Sequence, residues 1–384
     1  MKRTIVLFTC ILLIMILCVS TCMAYASEIQ TDQENTMEQE SDVISTGFIG
    51  IVYDTQFGNV YLDLSIDEFI DLGFHYGDSV TVEFDNGFVL YNIPFYDGYF
   101  TDIGDPLICA YPGYPYPMIA FNFGAPMWEA SGAQEDTKVC VTVTGEQEYI
   151  LPELLLSMHY LDEKREGQSD ESFANFRLIS GGNIKPGMFY RSASPCDNVH
   201  NRSETTDRLM ADAGIKTVLN LAESQEELTD LLDEYQEWNS NYARMAENGD
   251  VILMDLSSNY MTDIFAEKLG QGLLEMTKHE GPVLIHCQEG KDRTGFVCIL
   301  LEMLAGSSYE EIEADYLKTY EEYFELDKET FPDAYNFYVE MRLLPIISFI
   351  TGPMTDYVSG AEDYLKFCGL TDEEIQEIKD YVNQ

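Results

Sequence analysis

The chain has 384 residues, with 21 Lys and Arg against 68 Asp and Glu, for a formal net charge of −47. A body this acidic repels nucleic acid and anionic membrane surfaces, and no basic patch in the sequence offsets it, so neither is an expected partner. With 46% hydrophobic residues there is ample material for more than one core.

The first segment reads as an address. Lys2-Arg3 precedes an apolar run over residues 5–19, and Ala24-Tyr25-Ala26 follows, the pattern of a secretory signal peptide over 1–26. The chain is therefore expected to be secreted or held at the cell envelope, without membrane insertion after cleavage. Cys22, after Val19-Ser20-Thr21, gives the alternative of a lipid-anchored start. Residues 27–46 read as an acidic, flexible spacer. Of nine cysteines, Cys10, Cys18 and Cys22 leave with the signal. Cys109 and Cys140 share one β-rich stretch and are candidates for a bridge in an exported protein.

Over 47–150, short β-branched and aromatic runs (48–53, 80–84, 88–91, 107–111, 118–123 and 139–143) alternate with turn signals. Asp85-Asn86-Gly87 is a hairpin turn, and the regular spacing predicts a small all-β, barrel-like domain. Its aromatic residues Tyr111, Tyr114, Tyr116, Phe121, Phe123 and Trp128 read either as core and rim or as a ligand surface. Residues 151–172 are expected to form a helical linker. From 173 to 384 the pattern alternates strands (188–191, 216–221, 251–254, 283–286) with helices (205–213, 225–238, 264–277, 295–304). That alternation predicts an α/β domain with a mostly parallel sheet flanked by helices. Ser308-Tyr309-Glu310-Glu311 is a capping box for a further helix. The aromatics Tyr316, Tyr320, Tyr323, Phe324, Tyr335 and Tyr338 beyond it either cap a site or simply cover the sheet.

Between the strand 283–286 and the helix 295–304 lies His286-Cys287-Gln288-Glu289-Gly290-Lys291-Asp292-Arg293-Thr294-Gly295. Strand, glycine-containing loop and helix together gather backbone N–H groups and a helix N-terminus around a phosphate. Cys287 would lie at the bottom of that cradle as a nucleophile, its thiolate form favoured by the loop amides, the helix dipole and Arg293. The loop residues Gln288, Glu289, Gly290 and Lys291, with the planar fork of Arg293, would hold the three equatorial oxygens of a transferring phosphoryl group. Thr294 would donate its hydroxyl to the departing sulfur. The spacing therefore points to phosphate-ester hydrolysis through a phosphocysteine.

This loop resembles the active-site loop of bacterial tyrosine phosphatases of the atypical, dual- or triple-specificity kind, which share the Gly-Lys-Asp-Arg-Thr-Gly core. Asn175-Phe176-Arg177, Pro186-Gly187-Met188-Phe189-Tyr190-Arg191-Ser192 and Gly214-Ile215-Lys216-Thr217-Val218 are similar to further segments of that family. The resemblance covers roughly 165–384 and implies a cysteine-phosphatase-like sheet with a C-terminal helical part. One departure stands out. Where the family usually has Asp-Leu-Arg, this chain has Asn220-Leu221-Ala222, so roles carried by that Asp and Arg do not transfer. In the β-rich region, segments from Gly77 to Gly124 loosely resemble the C-terminal barrel of S-adenosylmethionine hydroxide adenosyltransferases, without their catalytic domain.

Leaving-group protonation needs a general acid. Asp292 is the first candidate, since the resemblance puts a carboxylate there, although Arg293 beside it suits a base better. Asp255 and Asp263, after the strand 251–254, are the other candidates, and Asp263 reads equally as a residue opening the next helix. His286 is expected to support the loop by hydrogen bonding. Arg177 and Arg191 read either as substrate contacts or as ion pairs orienting the loop. His75, His159, His200 and His279 are scattered, and the phosphocysteine route requires neither metal nor cofactor.

The expected activity is hydrolysis of phosphotyrosine, with phosphoserine and phosphothreonine as further substrates, on a phosphorylated peptide, a protein or a small phosphomonoester. Lys291 favours the alternative of an inositol-phosphate or phosphoinositide phosphatase. Asn220 and Ala222 motivate a third reading, a non-catalytic phosphate-binding module.

Overall fold

Alternating burial along short strands builds the first layer. On β3 (Ser79–Phe84) Val80, Val82 and Phe84 are buried while Glu83 is exposed, the period of a strand with one face on a core. Six further strands complete the layer: β1 (Ser45–Tyr53), β2 (Val60–Leu62), β4 (Val89–Tyr96), β5 (Pro106–Cys109), β6 (Met118–Phe121) and β7 (Lys138–Gly145), of which β2 and the start of β7 alternate while β5 and β6 are buried in near-continuous runs. They close into a barrel in the order β1-β2-β6-β5-β4-β3-β7. The Asp85-Asn86-Gly87 turn joins β3 to β4, with Gly87 at φ 95°. The computed structural model describes residues 43–383 except 159, 161, 199, 236, 237 and 353–355. The signal-peptide reading, the Cys22 alternative and the spacer up to residue 42 lie outside the described residues. Thr46–Gln384 form one compact unit.

The second layer is a five-stranded sheet of β8 (Arg177–Leu178), β9 (Phe189–Ser192), β10 (Thr217–Asn220), β11 (Val251–Leu253) and β12 (Val283–His286), ordered β11-β10-β12-β9-β8. β9 to β12 run parallel, and only β8 is antiparallel to its neighbour. β12 is central and buried along its whole length, as its continuous apolar run requires. The helix Asp292–Leu304 behind it is buried at every residue from Thr294 to Leu304. The capping box at Ser308 is formed and opens the helix Tyr309–Phe324.

The structure departs from the sequence reading in four places. The helix expected over 225–238 is two, Gln225–Glu234 and Ser240–Asn248, broken around Trp238 and Asn239. The helix after the cysteine loop starts at Asp292 rather than at 295, which puts Asp292, Arg293 and Thr294 on its first turn. Among the described residues of 151–172 only the ends are helical (Ile150–Leu156 and Asp170–Phe173), with Gly167 at φ 82° between them. Finally, Cys109 and Cys140 are not bridged to each other, because β4 and β3 lie between their strands. Among the described residues no helix is long and apolar enough to cross a membrane.

Candidate active site

The loop leaves β12 with its carbonyls turned outward. Gln288 O accepts from Ser194 N at 2.9 Å, and Glu289 O accepts from Asn175 Nδ2 at 3.2 Å and from the Tyr323 hydroxyl. Gly290 O accepts from Asn175 Nδ2 at 3.1 Å and from Arg191 Nη2 at 2.9 Å. In a trans peptide the C=O of one residue and the N–H of the next point in opposite directions. The N–H groups of Glu289, Gly290 and Lys291 are thereby turned to the inside of the loop, where an anion would be held. Gly290 is required: its φ is 68°, and a Cβ there would overlap the Ser192 carbonyl. Cys287, at the base, is buried.

Beneath the loop sits a charged cluster. Arg191 is wholly buried and pairs through Nη1 with Asp315 Oδ2, while Arg177 Nε meets Asp315 Oδ1 at 2.8 Å. Arg177 also donates to Asn175 Oδ1, fixing the amide that clamps Glu289 and Gly290. These arginines therefore orient the loop from behind. Burial opposes ionisation of Asp315, but Arg177 and Arg191 hold its carboxyl below the usual range. Neighbouring Glu302, with neither oxygen hydrogen bonded to a described residue, is pushed well above it by burial and by Asp315, against the pull of the two arginines.

His286 supports the other side. Its Nδ1 lies 3.2 Å from the Cys287 carbonyl oxygen and its Nε2 3.2 Å from the Tyr242 hydroxyl, which Asn220 Nδ2 reaches at 2.7 Å. Burial lowers its pKa to about 4; the Cys287 carbonyl opposes that shift and Arg293 adds to it.

Two hollows meet at the loop, and Arg293 lines both. Its Nη1 is anchored on Leu256 O at 3.1 Å. The larger, about 420 Å³, runs past Lys291 and Asp292 between Phe296, Tyr316, Tyr320 and Tyr338, and is closed by barrel residues Phe100, Asp102, Asn122 and Phe123. The smaller is lined by Asp197, Glu223, Glu227, Gln288 and Arg293. Gln288 Nε2 is held by Asp197 Oδ2 at 2.9 Å. Lys291 donates to the Tyr160 hydroxyl and lies 3.6 Å from Asp292. Burial works against its charge, yet Asp292, Tyr160 and Glu289 carry its pKa well above the ordinary value. The Glu289 carboxylate faces His200 at 3.8 Å. Thr294 is buried, and its hydroxyl has no hydrogen-bond partner among the described residues.

The candidate acids fall in different places. Asp292 is 54% exposed at a helix N-terminus. Asp255 is tied to Lys268 at 2.7 Å, and Asp263 is exposed on the first turn of the helix Asp263–Met276. Neither Asp255 nor Asp263 is among the residues lining the two hollows. The sequence reading passed over Glu223, the barrel loops, Arg342 in the larger hollow, and Asp315. Among the described residues no three His, Cys, Asp or Glu side chains gather to hold a metal ion.

A cysteine at the base of an amide-lined loop on a central parallel strand, with an arginine on the following helical turn, defines a cysteine-dependent phosphatase. Residues 171–383, more than half of the chain, match the tyrosine phosphatase family, and the chain belongs to it. No curated protein matches. Among solved structures, the core catalytic domain of the PP-IP phosphatase SIW14 from S. cerevisiae in complex with citrate is 20% identical, over 44% of this chain and 85% of that one, with a TM-score of 0.27. P. aeruginosa TpbA is 14% identical over 58% of this chain and 96% of its own, with a TM-score of 0.25. An uncharacterized conserved protein from Thermotoga maritima is 21% identical over 24% of this chain but only 35% of its own length, with a TM-score of 0.22. The family match does not reach the barrel, whose likeness to the adenosyltransferase barrel rests on sequence alone.

Proposed function

We propose that this phosphatase is exported and hydrolyses aryl phosphomonoesters, phosphotyrosine first, through a phosphocysteine on Cys287. The observation that carries this reading is the aromatic-walled hollow opening beside the loop at Arg293, with Phe296, Tyr316, Tyr320 and Tyr338 along it. A phenyl ring in such a slot gains apolar burial and edge-to-face packing that an alkyl ester lacks. Phosphoserine and phosphothreonine would then be poorer substrates of the same site. The amides of Glu289, Gly290 and Lys291 and the Arg293 fork would hold the phosphoryl oxygens while the Cys287 sulfur attacks. Export, to the medium or the envelope, rests on the 1–26 pattern.

A second reading, an inositol-phosphate phosphatase, draws on Arg342. This half-buried side chain lines the same hollow, makes no hydrogen bond or ion pair with a described residue, and feels the Asp292 and Asp102 carboxylates. The net charge of −47 weighs the other way for substrates carried on an anionic bilayer.

The test is turnover of a phosphotyrosine peptide, a phosphoserine peptide and inositol hexakisphosphate by the reduced protein, beside Cys287→Ser. Preference for the phosphotyrosine peptide, lost in the variant, is expected. Preference for the inositol phosphate would replace the first reading with the second. Phosphate binding without turnover by the folded wild type would leave a non-catalytic binding module.

A further inference from the structure

β10 and β12 are parallel neighbours, with Asn220 in register with His286, so the chain after Asn220 emerges beside the cysteine loop. There it turns at once. Asn220 Oδ1 accepts from the N–H groups of Ala222 at 3.0 Å and Glu223 at 3.1 Å, which fixes where the Glu223 side chain starts. Glu223 is 5% exposed, its Oε2 has no hydrogen-bond partner among the described residues, and it shares the smaller hollow with Gln288 and Arg293. A buried carboxyl with an unsatisfied oxygen is costly unless it has a use or stays protonated.

We propose that Glu223 is the general acid of this phosphatase and, in the second half of the cycle, its general base. The inference rests on the phosphocysteine reading. The thiolate of Cys287 attacks phosphorus and the P–O bond to the leaving group breaks. That oxygen takes the proton of the Glu223 carboxyl. A water then attacks the phosphocysteine and gives its proton to the Glu223 carboxylate as the P–S bond breaks and the thiolate returns. The balance is one ester and one water to one alcohol and one phosphate.

The surroundings suit this assignment. Burial raises the Glu223 pKa to about 7; the Asp197 and Glu227 carboxylates add to it, and the Asn220 hydrogen bond and Arg293 oppose it. Cys196 and Tyr242 also face it from behind, and Asp230 from across the hollow. A bound phosphate dianion pushes the same way, toward the proton-holding form that an acid needs. Asp292 has a different setting: it is exposed on the first turn of the helix Asp292–Leu304, 3.6 Å from Lys291, and does not line the hollow that Glu223 shares with Gln288 and Arg293. Glu223 thus takes over the proton transfer where Asn220 cannot donate as an acid.

The test compares wild type, Cys287→Ser, Glu223→Gln, Glu223→Ala and Asp292→Asn on a series of aryl phosphates whose phenols differ in acidity. With Glu223 as acid, both Glu223 variants lose about 10²–10⁴-fold on the most basic phenol and far less on the most acidic, which leaves without a proton. The wild-type kcat/KM falls as pH rises through about 7, where Glu223 ionises, and that limb disappears in Glu223→Gln. A uniform loss across the series, a retained limb, or the steepened dependence appearing in Asp292→Asn instead would overturn the assignment. Failure of the wild type on every ester would remove the phosphocysteine reading itself; activity lost only in Cys287→Ser would remove Glu223 alone.

Discussion

The Tyr242 hydroxyl donates to His286 Nε2 across 3.2 Å. The direction follows from the neighbours. The Cys287 carbonyl can only accept, so His286 carries its proton on Nδ1 and leaves Nε2 as an acceptor. Asn220 then donates from Nδ2 into the Tyr242 oxygen, and its Oδ1 accepts from Ala222 and Glu223. One buried chain of hydrogen bonds thus runs from the turn that carries Glu223 to the backbone of the nucleophile. It also explains the departure at Asn220: an ionised Asp there could not donate.

Tyr242→Phe removes one hydroxyl and strands two buried groups, Asn220 Nδ2 and His286 Nε2. Each such orphan costs about 1–3 kcal/mol, so urea unfolding should show a loss of roughly 2 kcal/mol or more. Asn220→Asp should cost at least as much at pH 8, since its carboxylate draws the Tyr242 proton away from His286. Equal midpoints for wild type and both variants would refute the chain.

Asp315 is the sole carboxylate bonded to Arg177 and Arg191 among the described residues. Asp315→Asn leaves two buried guanidinium groups without their counter-charge, a change that typically destabilises by about 3–5 kcal/mol. Because Arg191 and Asn175 clamp Gly290 O, activity should fall by more than the folded fraction explains. The check is kcat per folded molecule, from active-site titration with a thiol-reactive phosphate analogue, beside thermal melting. A stable variant with wild-type kcat would mean the cluster does not position the loop.

Gly290→Ala places a methyl group against the Ser192 carbonyl at a φ of 68°, which L residues seldom adopt. The loop has to open to make room, and the amides turned inward lose their common focus. Losing one such donor commonly costs about 10²–10³ in kcat, so the expected drop is at least that large, with inorganic phosphate binding weakened in parallel. Unchanged phosphate affinity would show that the amides do not form the cradle.

How much of this was readable beforehand follows from the range of each interaction. The cysteine loop was legible because its chemistry is written in ten adjacent residues, and the parallel strands because β-branched runs and turn residues are local signals. β2 was missed at three residues, too short for alternation to register. Asp315 lies 124 residues from Arg191, and a single Asp among 68 acidic residues carries no mark of its partner. Glu223 was passed over for the same reason, since its setting is made by burial and by Asp197, Glu227 and Arg293. The barrel loops at the larger hollow depend on how the two layers pack, which no spacing records. Asp292 drew attention as an acid from its place in the motif, but the earlier start of the helix puts it on an exposed first turn.

Glu153, on the helix Ile150–Leu156, gives a stability signature. It is 6% exposed and accepts from Asp97 N at 3.4 Å. Burial raises its pKa to about 7; the Asp97 carboxylate adds to that, and the backbone hydrogen bond opposes it. The unfolded carboxyl titrates near its ordinary value of 4.5, so between 4.5 and 7 the folded state holds the extra proton. Stability from this group is therefore complete below pH 4.5 and falls as pH rises, by about 3 kcal/mol at pH 8. Glu223 acts in the same direction, whereas His286, lowered to about 4, makes stability rise with pH up to its ordinary range. The difference between wild type and Glu153→Gln isolates one group from the other two. In urea unfolding the two proteins should converge near pH 4.5, and the variant should be the more stable by about 3 kcal/mol at pH 8. A difference that stays flat across that window would mean Glu153 is ionised in the folded protein at neutral pH, with its charge met by solvent.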